Sequence, residues 1–203
     1  MAHFYKASHF FDRSKYCVKK KDFELRAAQS KFDFHLLYSY GFKKMEKSHI
    51  VYINSPLGIT KIVGDISGIS IISILSEGEP SATIPDELQN AVSQLQEYFS
   101  GKRNDFSFKL NPKGTEFQLR VWQELRTIPF GKTISYLDLA KKLGDYKVIR
   151  AAASANGKNP LWIVVPCHRV IGTDGSLTGY AGGLWRKKWL LEHENPTNQQ
   201  SLF

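Results

Sequence analysis

The chain is poor in sulfur. Its 203 residues include two methionines and two cysteines, Cys17 and Cys167. One pair of cysteines in a chain this size does not suggest a secreted disulfide scaffold, so a free thiol in a reducing compartment is the simpler reading. No C-x-x-C is present, which argues against a thiolate-rich zinc site, and no metal is expected. No apolar run approaches the roughly 20 residues of a membrane span, and the N-terminus lacks a secretory apolar core. A soluble intracellular protein with no membrane partner is expected. No nucleotide, cobalamin or folate motif is visible, so no cofactor is expected either.

Acidic residues are also in short supply. There are 28 Lys and Arg against 19 Asp and Glu, a net charge of +9. Such a balance suggests a polyanionic partner, of which nucleic acid is the commonest. The excess is uneven. Residues 1–44 hold ten basic and four acidic residues, including Lys19-Lys20-Lys21, while the rest of the chain is only mildly basic. Residues 1–44 show no clean period and read as a basic N-terminal extension.

The chain is 42% hydrophobic overall, which is enough apolar material for a core. His49–Asn54, Ile59–Val63 and Ile69–Leu75 alternate like strands, separated by Ser55-Pro56-Leu57-Gly58 and by a turn over 65–68, which makes an antiparallel meander. Pro85 suits the first turn of a helix carrying Leu88, Val92, Leu95 and Phe99, and Gly101 ends it. This unit carries no cluster of catalytic residue types. Asn111–Lys113 looks like a linker. Thr115 with Gln118, and Ser135 with Asp138, fit capping boxes that open two further helices. Gly144-Asp145 then leads to a short helix over about 148–156, and helix, glycine-containing turn, helix is the helix-turn-helix pattern. The fold class is α+β: a small antiparallel-sheet N-terminal domain, then a mainly helical domain.

The most informative run is Pro166-Cys167-His168-Arg169-Val170. It follows Leu161-Trp162-Ile163-Val164-Val165, short, partly β-branched and bounded by Pro160 and Pro166, which reads as a buried strand. A cysteine at its end, beside a histidine, is a candidate nucleophile next to a base. On its own the pair also fits a buried structural thiol.

The neighbouring motifs decide between these. Asn159-Pro160, Pro166 to Val170, Tyr180-Ala181-Gly182-Gly183-Leu184 and Trp189 to Glu194 occur at spacings that resemble the O6-alkylguanine-DNA alkyltransferases. The resemblance spans roughly residues 48–195. It implies a DNA-repair protein that moves the alkyl group of O6-methylguanine, with O4-methylthymine as a further candidate, onto its own cysteine in one irreversible turnover. The domains implied are 45–110, a ribonuclease H-like structural unit, and 111–196, for DNA binding and transfer, followed by a tail over 197–203. Some family members carry an N-terminal structural zinc, but its Cys/His set is not apparent here.

Residue by residue, the resemblance implies Cys167 as nucleophile, His168 as its base through a bridging water, and Glu194 as the group orienting His168. Tyr136 would donate a hydrogen bond to the base, and Asn159 would support the reactive segment. The helix around Arg150, Ala151, Ala152 and Ser154, with Ser135, would meet double-stranded DNA in the minor groove, its small residues allowing close approach. Arg150 would fill the gap left by a flipped alkylated guanine. Val170, Tyr180 and Ala181 would wall the pocket, and Trp162 would narrow it. The protein is expected to act as a monomer, in the cytoplasm if bacterial and in the nucleus if eukaryotic. Glu194→Gln, nearly isosteric, is expected to slow transfer and spare the fold. Two other readings remain: a non-catalytic damage sensor or regulator on the same fold, which would lack the reactive cysteine, and a Cys-His hydrolase, which would turn over repeatedly.

Overall fold

Ser55-Pro56-Leu57-Gly58 makes the first hairpin, between β1 (His49–Ser55) and β2 (Gly58–Asp65). Gly58 sits at φ 118°, and a Cβ there would lie 2.4 Å from the Leu75 carbonyl oxygen, so only glycine fits. A second turn leads to β3 (Gly68–Leu75), and the sheet runs β1-β2-β3, all antiparallel. The alternation puts Val51, Ile62 and Ile72 opposite one another on the buried face. Helix α1 (Asp86–Phe99) covers that face with Leu88, Val92 and Leu95, starting after Pro85 and stopping before Gly101 at φ 72°. The computed structural model describes residues 47–195. The extension over 1–44, with Cys17, and the tail over 197–203 lie outside the described residues.

The rest of the chain is helical. Both capping boxes form: Thr115 and Gln118 open α2 (Glu116–Leu125), and Ser135 and Asp138 open α3 (Tyr136–Lys142). Each satisfies two backbone donors that a helix start leaves unpaired, which stabilises it by about 1 kcal/mol. After Gly144 a single 3₁₀ turn, Tyr146–Val148, leads into α4 (Ile149–Gly157). Trp122 of α2 is buried and its indole N–H donates to the Ala155 carbonyl at 2.9 Å, fixing α4 against the core. Two residues each form β4 (Ile134–Ser135) and β5 (Val170–Ile171), a parallel pair. Helix α5 (Leu184–Glu194) closes the described chain.

The segment expected to be a buried strand is not one. Leu161 makes a single parallel bridge to Ile72, after which the chain folds back: Val164 N–H donates to the Trp162 carbonyl and Val165 N–H to that of Leu161. Ile163 takes φ 73°, the only non-glycine residue with positive φ among the described residues and a costly state for a β-branched side chain. Leu161, Ile163, Val164 and Val165 are all inside, so the segment is buried as expected but in a turn rather than a strand. Two prolines leave the segment too short to run a ladder. Side-chain hydrogen bonds from Asn159 bend it instead, donating to Val165 O at 2.7 Å and accepting from Leu161 N at 2.9 Å. The turn is also sewn to the β3 edge, through Ile72 N–H to Pro160 O at 2.8 Å and Trp162 N–H to Ile72 O at 3.0 Å.

Candidate active site

The turn delivers Cys167 to the start of a 3₁₀ turn, Cys167–Arg169, in which Cys167 and His168 are both buried. Asn159 Nδ2 donates to the Cys167 sulfur at 3.1 Å, so the same amide that bends the turn also holds the thiol. Burial pushes the thiol pKa up, and the Asn159 hydrogen bond and the Lys187 charge pull it only part of the way back. The resting sulfur is therefore a protonated thiol, and its proton must leave as the reaction proceeds.

A base stands next to it. His168 Nε2 meets Glu194 Oε1 at 2.9 Å, with both side chains fully buried. Burial disfavours charge on Glu194, but hydrogen bonds and charge from His168 and Arg169 outweigh it and hold the carboxyl well below the usual range. An ionised Glu194 accepts, so Nε2 carries the proton. Nδ1 is then a bare lone pair, buried and without a partner among the described residues. Burial also pulls the His168 pKa down against Glu194, so the ring is a neutral acceptor.

Glu194 gathers more than the histidine. Arg169 donates Nε to Oε2 at 2.7 Å and NH2 to Oε1 at 2.9 Å, while its NH1 reaches Ile128 O at 2.6 Å. Tyr98 OH donates to Oε1 at 2.8 Å, and Gly131 N–H to Oε2 at 3.2 Å. Gly131 has φ 68°, and a Cβ there would lie 2.8 Å from the Glu194 carbonyl oxygen.

Two further polar groups sit beside the thiol. Lys187 is fully buried and donates to the carbonyls of Val170 and Thr178 at 2.7 Å each. Burial lowers its pKa to about 8 although the Cys167 sulfur opposes this, and its ammonium lies 5.9 Å from the Tyr136 ring centroid. Asn156 Nδ2 lies 3.4 Å from both Tyr136 OH and Cys167 O. Neither was singled out in the sequence. The signal was there: Lys187, Leu190, Leu191 and Glu194 recur at helical spacing and are all buried, as are Ala152 and Asn156 on α4.

A cavity of about 540 Å³ opens between Tyr136, Arg150 and Ala153 on one side and Gly179, Tyr180 and Ala181 on the other. Arg150, Ala151 and Ser154 are exposed on one face of α4, and half-buried Ser135 caps the neighbouring α3. Ala152, expected among the DNA contacts, is fully buried, because the helical period turns it inward with Ala155 and Asn156. Val170 is fully buried in β5 and does not line the cavity. Trp162 does not line it either; its ring packs 5.6 Å from that of Tyr180, which does. The Tyr180 hydroxyl is buried near the Cys167 sulfur, and burial together with that sulfur pushes it well above the ordinary phenol range.

The chain is similar to known proteins along most of its described length. The family model for the 6-O-methylguanine DNA methyltransferase DNA-binding domain matches residues 116–196, and that for its ribonuclease-like domain matches 49–112. A methylated-DNA–protein-cysteine methyltransferase of Methanosarcina acetivorans is 43% identical over 147 residues, covering 69% of this chain and 94% of its own length. The crystal structure of the Mycobacterium tuberculosis O6-methylguanine methyltransferase superposes with a TM-score of 0.67 at 44% identity, covering 74% of this chain and 94% of that one. The same protein in complex with DNA gives 0.67 at 44% identity over 73% and 93%. The chain belongs to the methylated-DNA–protein-cysteine methyltransferase family.

Proposed function

We propose that Cys167 is the alkyl acceptor of a single-turnover DNA-repair reaction. The observation that carries the reading is a buried thiol followed in the chain by a neutral imidazole whose Nδ1 has no partner among the described residues and whose Nε2 proton is held by an ionised carboxylate. In the transfer, the bond between the alkyl carbon and O6 of guanine breaks and a carbon–sulfur bond forms. The thiol proton passes to His168 Nδ1 through a bridging water, and Glu194 stabilises the imidazolium. The departing guanine gains electrons, and the Tyr136 hydroxyl donates a hydrogen bond to it. Burial raises the Tyr136 pKa, so the phenol stays protonated for this role. The reaction needs no cofactor, because nucleophile and alkyl group come from the two reactants. Cleaving the resulting thioether would need a further nucleophile, so each molecule acts once.

DNA is the partner, through the DNA-binding domain that matches residues 116–196. The exposed face of α4, with Arg150, Ala151 and Ser154, lies in the minor groove. The alkylated guanine is flipped into the cavity between Tyr136 and Tyr180, and Arg150 fills the vacated stack. Flipping costs a few kcal/mol and explains why the acceptor can lie beneath a pocket. The protein works as a monomer, in the compartment that holds DNA. Residues 45–110 form the scaffold domain and 111–196 the transfer domain. Among the described residues no helix is long and apolar enough to cross a membrane. The test is incubation with duplex DNA carrying a labelled methyl group: label should move to protein up to one equivalent, and Cys167→Ala should bind DNA without accepting it. Binding with no transfer by the native protein would favour the damage-sensor reading.

A further inference from the structure

One of the groups around Glu194 comes from outside the transfer domain. Tyr98 lies near the end of α1, within the stretch matched by the ribonuclease-like domain. It is fully buried, and its ring packs against Phe99, Phe106, Phe130 and His193. His193 Nε2 lies 2.7 Å from the Tyr98 carbonyl, so main chain and ring are both held. Its hydroxyl donates at 2.8 Å to Glu194 Oε1, the oxygen that also meets His168 Nε2 at 2.9 Å and Arg169 NH2 at 2.9 Å.

Three donors share one oxygen, and each draws off charge that the others would otherwise feel. We infer that Tyr98 is a positioning residue for the transfer reaction, through which the N-terminal domain sets the basicity of His168. The inference rests on the reading of His168 as the acceptor of the thiol proton. An acceptor must be neutral. A carboxylate with too much charge facing Nε2 would favour the imidazolium, which has no lone pair for the thiol proton. Tyr98 withdraws charge from that oxygen while Arg169 holds both carboxylate oxygens in place. The other charged or titratable groups facing this cluster are Lys187 on the His168 side, with Cys167 its neighbour in sequence, and Tyr180 and His193 on the Tyr98 side. The raised pKa of the Tyr98 phenol, caused first by burial and then by the Glu194 charge, keeps it a donor across the working range.

The perturbation is Tyr98→Phe, which keeps the ring and removes one oxygen. Two curves are read: the NMR titration of the His168 ring without DNA, and the pH dependence of single-turnover methyl transfer. Both the His168 titration and the acid limb of the rate should move up by roughly half a unit to one unit. A ring-fluorinated tyrosine at position 98, a stronger donor in the same shape, should move both down. If Tyr98→Phe does not fold, the fluorinated protein carries the test alone: a downward shift supports the inference and no shift overturns it. A rate lowered evenly at all pH with an unmoved His168 titration marks packing alone and also overturns it. Transfer by the native protein with neither titration shifted defeats the role of Tyr98 only. No transfer by the native protein defeats the reading on which that role rests.

Discussion

Glu194→Gln removes the charge from a buried carboxylate on which donors from Tyr98, Gly131, His168 and Arg169 converge. The two side chains are nearly isosteric, so shape alone predicts an intact fold. The surroundings predict otherwise, because the carboxylate accepts five hydrogen bonds, two of them from Arg169. An amide has one acceptor oxygen. Placed at the Oε1 position it can still serve His168, Tyr98 and Arg169 NH2. Its NH₂ group then faces Arg169 Nε–H and Gly131 N–H, donor against donor. The Arg169 guanidinium, nearly buried, also loses its counter-charge. Breaking a buried pair from one side costs about 3–5 kcal/mol, a large part of the roughly 5–15 kcal/mol that holds a domain together. Equilibrium urea unfolding, followed by tryptophan fluorescence at pH 7, should show a loss in that range. The loss should also depend on pH. The folded pKa of Glu194 lies below its ordinary 4.5. Its contribution is thus fully present above about pH 4.5 and fades as pH falls toward the folded pKa. The gap between native protein and variant should narrow in acid. A loss under about 1 kcal/mol at pH 7, or a gap that stays constant into acid, would refute the reasoning.

Two further outcomes follow from the cavity. Arg150→Ala should slow repair of alkylated duplex DNA and affect the free modified base much less, since only the duplex requires unstacking; equal losses in the two assays would assign Arg150 another role. Trp162→Ala should raise the rate with free O6-benzylguanine relative to methylated DNA, because it removes the ring that backs Tyr180. Proline would be a poorer choice, since it deletes the Trp162 N–H that donates to Ile72 O. A native protein already inactivated rapidly by benzylguanine would contradict the narrowing role of Trp162.

Much of the fold was legible because its signals are local. The capping boxes at Thr115 and Ser135 are reciprocal bonds between residues three apart, and the meander needs only alternation and turn residues. The reactive segment was misread because Val, Ile and Leu between prolines carry the same burial signal in a strand and in a turn, and what selects the turn is one buried amide, Asn159. The relay was legible only in part. His168 and Glu194 stood out through the resemblance, but the donors completing the Glu194 site come from across the molecule. Tyr98 lies 96 residues away and Gly131 lies 63 away. No periodicity links such positions. Lys187 is different: its phase with Leu190 and Glu194 already marked it as inward-facing, and the usual exposure of lysine argued against that reading.

The central claim, that Cys167 takes the alkyl group, is tested most directly by intact-mass measurement followed by peptide mapping after incubation with O6-methylguanine duplex DNA. The protein should gain the mass of one methyl group and no more, located on the peptide containing Cys167 and absent from Cys167→Ala. An unchanged mass, or a methyl group found on Cys17, would contradict it.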